Sequence, residues 1–179
     1  MIAIVGLAVS LTHNTASAQG ISVELDFGYN SPGGDFGDVY SGGIGIALHP
    51  RFKLTDKMAV GLNVGSNVFA GGDFSGSGGP SSSVSAAGTL NVLGTVQYKL
   101  LDKKITPYGE LGVGMFKYKA GSIDSGSAQN GGAFEDKTYM GVAPKVGAMI
   151  GFLNVHATYV LAGDLKYTQF GLGFRFGAK

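Results

Sequence analysis

Eight stretches of this chain alternate apolar residues with small or polar ones at a period of two, and few folds accommodate that pattern. A strand turns successive side chains to opposite faces, so each stretch has an aliphatic or aromatic side and a side of Gly, Ala, Ser, Thr and Asn. The first runs from Ile21 to Asn30, with Ile21, Val23, Leu25, Phe27 and Tyr29 set against Ser22, Glu24, Asp26, Gly28 and Asn30. The others lie at 43–54, 58–65, 89–100, 110–115, 140–150, 154–159 and 169–176. None repeats at the helical period, so almost no helix is expected after the N-terminal segment.

The connections carry a second pattern. Thr55-Asp56-Lys57, Leu101 to Lys104 and Leu153-Asn154 read as tight turns. Ser31–Asp38, Gly71–Ser83, Gly121–Glu135 and the shorter Ala162–Lys166 are rich in Gly, Ser, Asn and Asp and read as longer loops. Long and short alternate, which in an up-and-down barrel puts all long loops at one end. Bacterial outer-membrane barrels have that asymmetry.

The N-terminal segment reads differently. An apolar run from Ile2 to Leu11 gives way to polar Thr12–Asn14 and then to Ala16-Ser17-Ala18 before Gln19. That small-x-small close predicts an exported chain with residues 1–18 as signal peptide and 19–179 as the barrel. The run is too short to cross a membrane as a helix. No Lys or Arg precedes it, a departure from the usual signal pattern, and the first basic residue is Arg51.

Period two alone does not say which face is wet, because soluble barrels alternate as well. Charge decides. Only 14% of residues are charged against about 25% in ordinary soluble domains, and 32 are Gly where a usual share is about 7%. The non-apolar face is too poor in charge to serve as a soluble exterior, but its small residues suit the crowded interior of an eight-stranded barrel. In lipid every backbone amide needs an internal partner, and among β structures only a closed barrel supplies it. The expected fold is therefore all-β, an eight-stranded antiparallel up-and-down transmembrane barrel. By parity Tyr108, Phe116 and Tyr118 point inward, so either the lumen is locally aromatic or a bulge shifts the register.

Two segments resemble a known family: Ile105-Thr106-Pro107-Tyr108-Gly109-Glu110-Leu111-Gly112-Val113-Gly114 and the closing Phe170-Gly171-Leu172-Gly173-Phe174-Arg175-Phe176. The whole chain after the signal is similar to small outer-membrane β-barrel proteins of the OmpA/OmpX type, and most to their porin-family relatives in Bacteroidetes-like bacteria. The resemblance implies residence in the bacterial outer membrane, contact with its lipid and lipopolysaccharide, and insertion by the barrel-assembly machinery. In such proteins the aromatics of the last strand carry the assembly signal, here Phe174 and Phe176.

The inward face holds Glu24, Asp26, Arg51, Lys53, Lys99, Glu110, Lys145 and Arg175. Closing the barrel pairs the first and last strands and brings Glu24 or Asp26 near Arg175, while the second strand brings Arg51 and Lys53 to the other side. Buried charges persist only when paired, so an ion-pair network plugging the lumen is expected from Glu24, Asp26, Arg51, Lys53, Glu110, Lys145 and Arg175. The rival is a narrow channel for small or apolar solutes, similar to OmpW-type barrels, gated by the same charges.

Catalysis and cofactors find little support. His156 and Thr158 are two apart but face inward, and His49 precedes Pro50 without a partner in sequence. With no Cys and no His cluster, no metal or cofactor site is expected. The Gly-rich 71–79 stretch lacks the Lys-Ser/Thr and helix of a phosphate loop. A formal net charge of +1 gives no field for nucleic acid. What remains is a structural or interaction barrel, free in the membrane or packed as an accessory subunit on a larger outer-membrane complex.

Overall fold

The computed structural model describes residues 20–71, 73–74, 82–84, 86–101, 103–119, 123–125 and 137–177. The segment read as a signal peptide lies outside them. Eight long strands run in chain order: β1 (Ile21–Pro32), β2 (Tyr40–Lys53), β3 (Met58–Gly71), β6 (Ala87–Lys99), β7 (Ile105–Lys119), β9 (Lys137–Ile150), β10 (Leu153–Ala162) and β11 (Leu165–Gly177). Three short strands, β4 (Asp73–Phe74), β5 (Ser82–Val84) and β8 (Ile123–Ser125), belong to the long loops.

The long strands close on themselves in the order β1-β11-β10-β9-β7-β6-β3-β2. Every neighbouring pair is antiparallel, and β1 meets β11 from Ser22↔Gly177 to Pro32↔Tyr167. A separate three-stranded sheet, β4-β5-β8, joins the loop after β3 to the loop after β7 through pairs such as Ser83↔Asp124.

The barrel is inside-out relative to a soluble protein. Each long strand presents large apolar residues outward, among them Phe27, Ile44, Leu62, Val92, Leu111, Val146, Val155 and Leu172, all more than a third exposed. Its interior holds polar groups instead, with Glu24, Asn30, His49 and Asn154 fully buried. Monomeric soluble proteins rarely expose a continuous apolar patch of this extent, whereas a lipid-facing belt requires one. Exposed Tyr29 and Tyr159 lie toward the long-loop end, and Phe52, Tyr98, Phe152 and Phe176 toward the short-turn end, as interfacial girdles do.

Two connections differ from the reading of the sequence. The turn between β9 and β10 is Gly151-Phe152, not Leu153-Asn154. Gly151 takes a left-handed φ of 64°, and Leu153 and Asn154 already pair with Ile150 and Met149. The connection between β10 and β11 is likewise two residues, Gly163-Asp164, with Gly163 at φ 59°. Its flanks, read as loop, are paired strand (Ala162↔Leu165), and Leu165 is buried in the barrel mouth. The long-loop end therefore carries three long connections and one tight hairpin. The first long connection holds the one helix among the described residues, the single turn α1 (Asp35–Val39).

The β6–β7 register runs unbroken from Gly88↔Lys119 to Lys99↔Tyr108, so no bulge reverses parity there. Tyr108 and Phe116 are buried inside, and the lumen is locally aromatic. One ladder is interrupted, near the long-loop end of β10. Between β9 and β10, Thr158↔Lys145 and Leu161↔Val142 pair, but the two positions between them do not. Pro144 sits in that gap and has no N–H to donate.

Candidate functional site: the barrel lumen

Three tiers fill the lumen from the short-turn end to the long-loop end. The lowest is ionic. Oε2 of Glu24 on β1 lies 2.8 Å from Arg51 Nη1 and 2.9 Å from Arg175 Nη2, and its Oε1 accepts from Asn154 Nδ2 at 2.8 Å. Arg51 Nη2 also reaches Glu110 Oε2 at 3.0 Å. Lys145 Nζ lies 3.5 Å from Glu110 and 3.9 Å from Asp26, and His156 Nδ1 lies 3.6 Å from Asp26. Three carboxyl groups thus face three basic side chains, drawn from β1, β2, β7, β9 and β11. Glu24, Arg51 and Glu110 are all under a tenth exposed, so little solvent screens these contacts.

Inward glycines make the space. Gly173 of β11 lies opposite Asp26 in the register, and a Cβ there would stand 2.5 Å from Asp26 Oδ1 and 3.1 Å from Glu24. Gly61 of β3 lies opposite Arg51, where a Cβ would stand 2.5 Å from the Pro50 carbonyl oxygen and 3.0 Å from Arg51 Cγ. The glycine excess of the composition is thus partly a packing requirement of long charged side chains in a narrow barrel.

The residues named from sequence divide as follows. Glu24, Asp26, Arg51, Glu110, Lys145 and Arg175 come together in one cluster. Lys53 does not, because it sits at the strand end, where its ammonium pairs at 3.0 Å with Asp56 of the adjoining turn. That hydrogen-bonded ammonium holds the exposed Asp56 carboxyl below its ordinary range. Lys99, half-buried, ends β6, and its N–H donates to the Lys57 carbonyl. Phe174 and Phe176 lie on the outward face of β11, opposite Leu25 and Val23, with Phe174 stacked on Phe152 at 6.3 Å.

His49 is a partner that sequence reasoning passed over. Arg51 Nη2 lies 2.7 Å from its Nδ1, and Thr95 Oγ1 lies 2.8 Å from its Nε2. Arginine only donates, so Nδ1 accepts and Nε2 carries the proton given to Thr95. Parity alone held the signal: His49 and Arg51 are two apart on one strand. Glu24, Asp26 and His49 also place ligand atoms within 4.8 Å of one another. Glu24 and His49 are already turned to Arg51, however, and a divalent cation there would meet its charge directly. The donor set does not fit a metal.

Above the ions lies an amide tier. Asn30 Nδ2 donates to Asn67 Oδ1 (2.9 Å), Asn67 Nδ2 to Thr89 Oγ1 (3.0 Å), Asn91 Nδ2 to Asn63 Oδ1 (2.8 Å) and Gln169 Nε2 to Asn30 Oδ1 (2.9 Å). A cavity of about 30 Å³ remains between the tiers, lined by Asp26, Glu110 and Lys145 below and by Phe116 and Tyr167 above. That is room for a water molecule.

The uppermost tier is aromatic. Phe36 of α1 reaches into the mouth and meets Tyr40 at 4.8 Å, Phe69 edge-on at 4.9 Å and Tyr118 at 6.0 Å between ring centroids. Phe69 in turn packs against Tyr167 at 5.2 Å. Leu93, Phe116 and Leu165 belong to the same cluster, all under a tenth exposed.

No family model matches the chain, and no curated protein matches it in sequence. Solved structures do. OprG of Pseudomonas aeruginosa aligns with a TM-score of 0.65 at 16% identity, covering 89% of this chain and 97% of its own. Ail of Yersinia pestis, solved with the heparin analogue sucrose octasulfate, aligns at 0.53 and 18% identity, covering 88% and 99%. Neisserial surface protein A aligns at 0.54 and 12% identity, covering 88% and 96%. At such identities the likeness speaks to fold. Together with the closed eight-strand topology and the outward apolar belt, it establishes that the chain has the fold of the small eight-stranded outer-membrane β-barrels.

Proposed function

We propose that this chain, exported with loss of residues 1–18, sits in the bacterial outer membrane as a sealed structural or interaction barrel, neither an open pore nor an enzyme. The observation that carries the reading is Arg51, held between Glu24 and Glu110 from different walls of the lumen. With Asp26, Lys145 and Arg175 alongside, these groups form the plug. Opening a path would separate buried charges, each costing several kcal/mol to leave unpaired. The lipid face favours no chemistry, since His156 and Thr158 are buried inside.

Function then belongs to the surfaces: the apolar belt toward lipid, lipopolysaccharide or a neighbouring protein, and the long loops toward the exterior. Phe174 and Phe176 serve the assembly machinery. Packing as an accessory subunit on a larger complex uses the same belt. Purified protein in planar bilayers tests the seal: no steady openings are expected, and steady openings abolished by Glu24→Gln or Arg175→Gln would overturn it. Gentle purification from native membranes separates the two interaction modes, with a stoichiometric partner marking the subunit and a lone barrel the free form.

A further inference from the structure

We infer that the aromatic cage in the barrel mouth is a binding site for a small aromatic molecule arriving from outside, and that the Phe36 ring is its displaceable internal guest. The walls and the guest are held in different ways. Phe69, Phe116, Tyr118 and Tyr167 stand on β3, β7 and β11 within the barrel ladders, and Tyr40 opens β2, where its N–H also donates to the Phe36 carbonyl. They hold one another without Phe36: Phe69 packs on Tyr167, and the Tyr40 and Tyr118 hydroxyls share a hydrogen bond of 2.6 Å. Phe36 instead rides on α1, a single turn whose only buried residue it is.

Besides the ring, half-buried Val39 packs on the same cluster and a few backbone bonds hold the turn. Its N-cap is Gly34, in the left-handed region at φ 57°, and no side chain caps it. The Gly33 N–H donates to the Lys166 carbonyl at 2.9 Å. One turn without a side-chain cap has no stability of its own, so docking of the Phe36 ring, with Val39 beside it, is what keeps α1 in place. Withdrawing the ring leaves the other rings of the cage in place, because all of them stand on barrel strands.

The guest class follows from the lining. Edge-on and tilted ring contacts at 4.8 and 4.9 Å select a planar aromatic body. The Tyr40 and Tyr118 hydroxyls beside it, and the Tyr167 hydroxyl that accepts from Asn67 Nδ2, suit one small polar substituent, as in a phenol or an indole. Phe36 competes from within the chain, so apparent affinity falls by the fraction of time the cage is open. This goes beyond the sealed-barrel reading, because the ionic tier below is untouched when the mouth empties.

The chain has no Trp, so Phe36→Trp installs a single reporter. In detergent-solubilised barrel the indole emission of this variant is expected to be blue-shifted, and to move red and become iodide-quenchable as p-cresol is added. Phe36→Ala, with folding verified by heat-modifiable gel mobility, is expected to bind p-cresol at least tenfold more tightly than the unaltered protein in calorimetry. Indole emission that stays blue at saturating p-cresol, or a Phe36→Ala barrel that binds no better, would overturn the inference. Bilayer conductance of Phe36→Ala is expected to stay at baseline. A rise there would count against the ionic seal and leave calorimetry to judge the cage.

Discussion

The guanidinium of Arg51 on β2 donates across the lumen to the carboxylate of Glu110 on β7 at 3.0 Å, a contact between residues 59 positions apart. The same nitrogen lies 2.7 Å from His49 Nδ1 and 3.2 Å from Glu24 Oε1. Arg51 is thus the centre on which acids from separate walls converge. Arg51→Met leaves Glu24 and Glu110 buried with less compensation, and is expected to lower stability by roughly 3–5 kcal/mol. Urea titration followed by gel mobility measures this. Glu110→Gln added to Arg51→Met is expected to cost less than the two changes summed, since residues of one network couple.

The glycines separate into those with neighbours and those without. Gly173→Ala drives a methyl toward Asp26 Oδ1 and is expected to cost about 1–3 kcal/mol. At Gly109, where nothing lies within 4 Å of the position a Cβ would take, Ala is expected to change stability by no more than about 0.5 kcal/mol. Equal effects at the two sites in the same urea titration would refute the packing argument.

Pro144 interrupts the β9–β10 ladder, while the β7 side continues through Leu111↔Pro144. Pro144→Ala returns a backbone donor where no water substitutes for it. A gain of about 1 kcal/mol is expected, with unfolding at higher temperature. Loss of stability would mean that the proline ring packs better than the restored bond.

Leu111 faces outward near the middle of β7, and Phe152 faces outward in a turn at the short-turn end. If lipid surrounds the barrel, Leu111→Arg costs about 2–4 kcal/mol and Phe152→Arg no more than about 1 kcal/mol, when both are measured in bilayers. A negligible cost at Leu111 would contradict a lipid-facing wall.

The strand count and the two faces were legible because period two is geometric: Ile21 through Asn30 declare their sides without help from the rest of the chain. Six of the eight inward charges named from parity meet in one cluster for the same reason. Lys53 was misjudged because parity gives a direction but not a height. At the end of β2 its flexible stem bends to Asp56 in the turn, where the ammonium stays partly in water. The β9–β10 turn was placed two residues late and the β10–β11 hairpin read as a loop, because Gly151 and Gly163 look like any other glycine until φ is known. Phe36 lay in a stretch read only as loop. Its contact with Phe69 depends on how the chain turns after Gly33 and Gly34, and no periodicity records that turn.

The barrel closes between its first and last strands, β1 and β11, paired along nearly their whole lengths. Until β11 exists, β1 has a bare edge, and no other strand stands ready to cover it. A nascent chain interrupted anywhere before Leu165 is therefore an open sheet whose amides find no partners in oil. The ring of strands closes only once the strand that covers β1 has been made, and a product cut short of β11 keeps that edge bare.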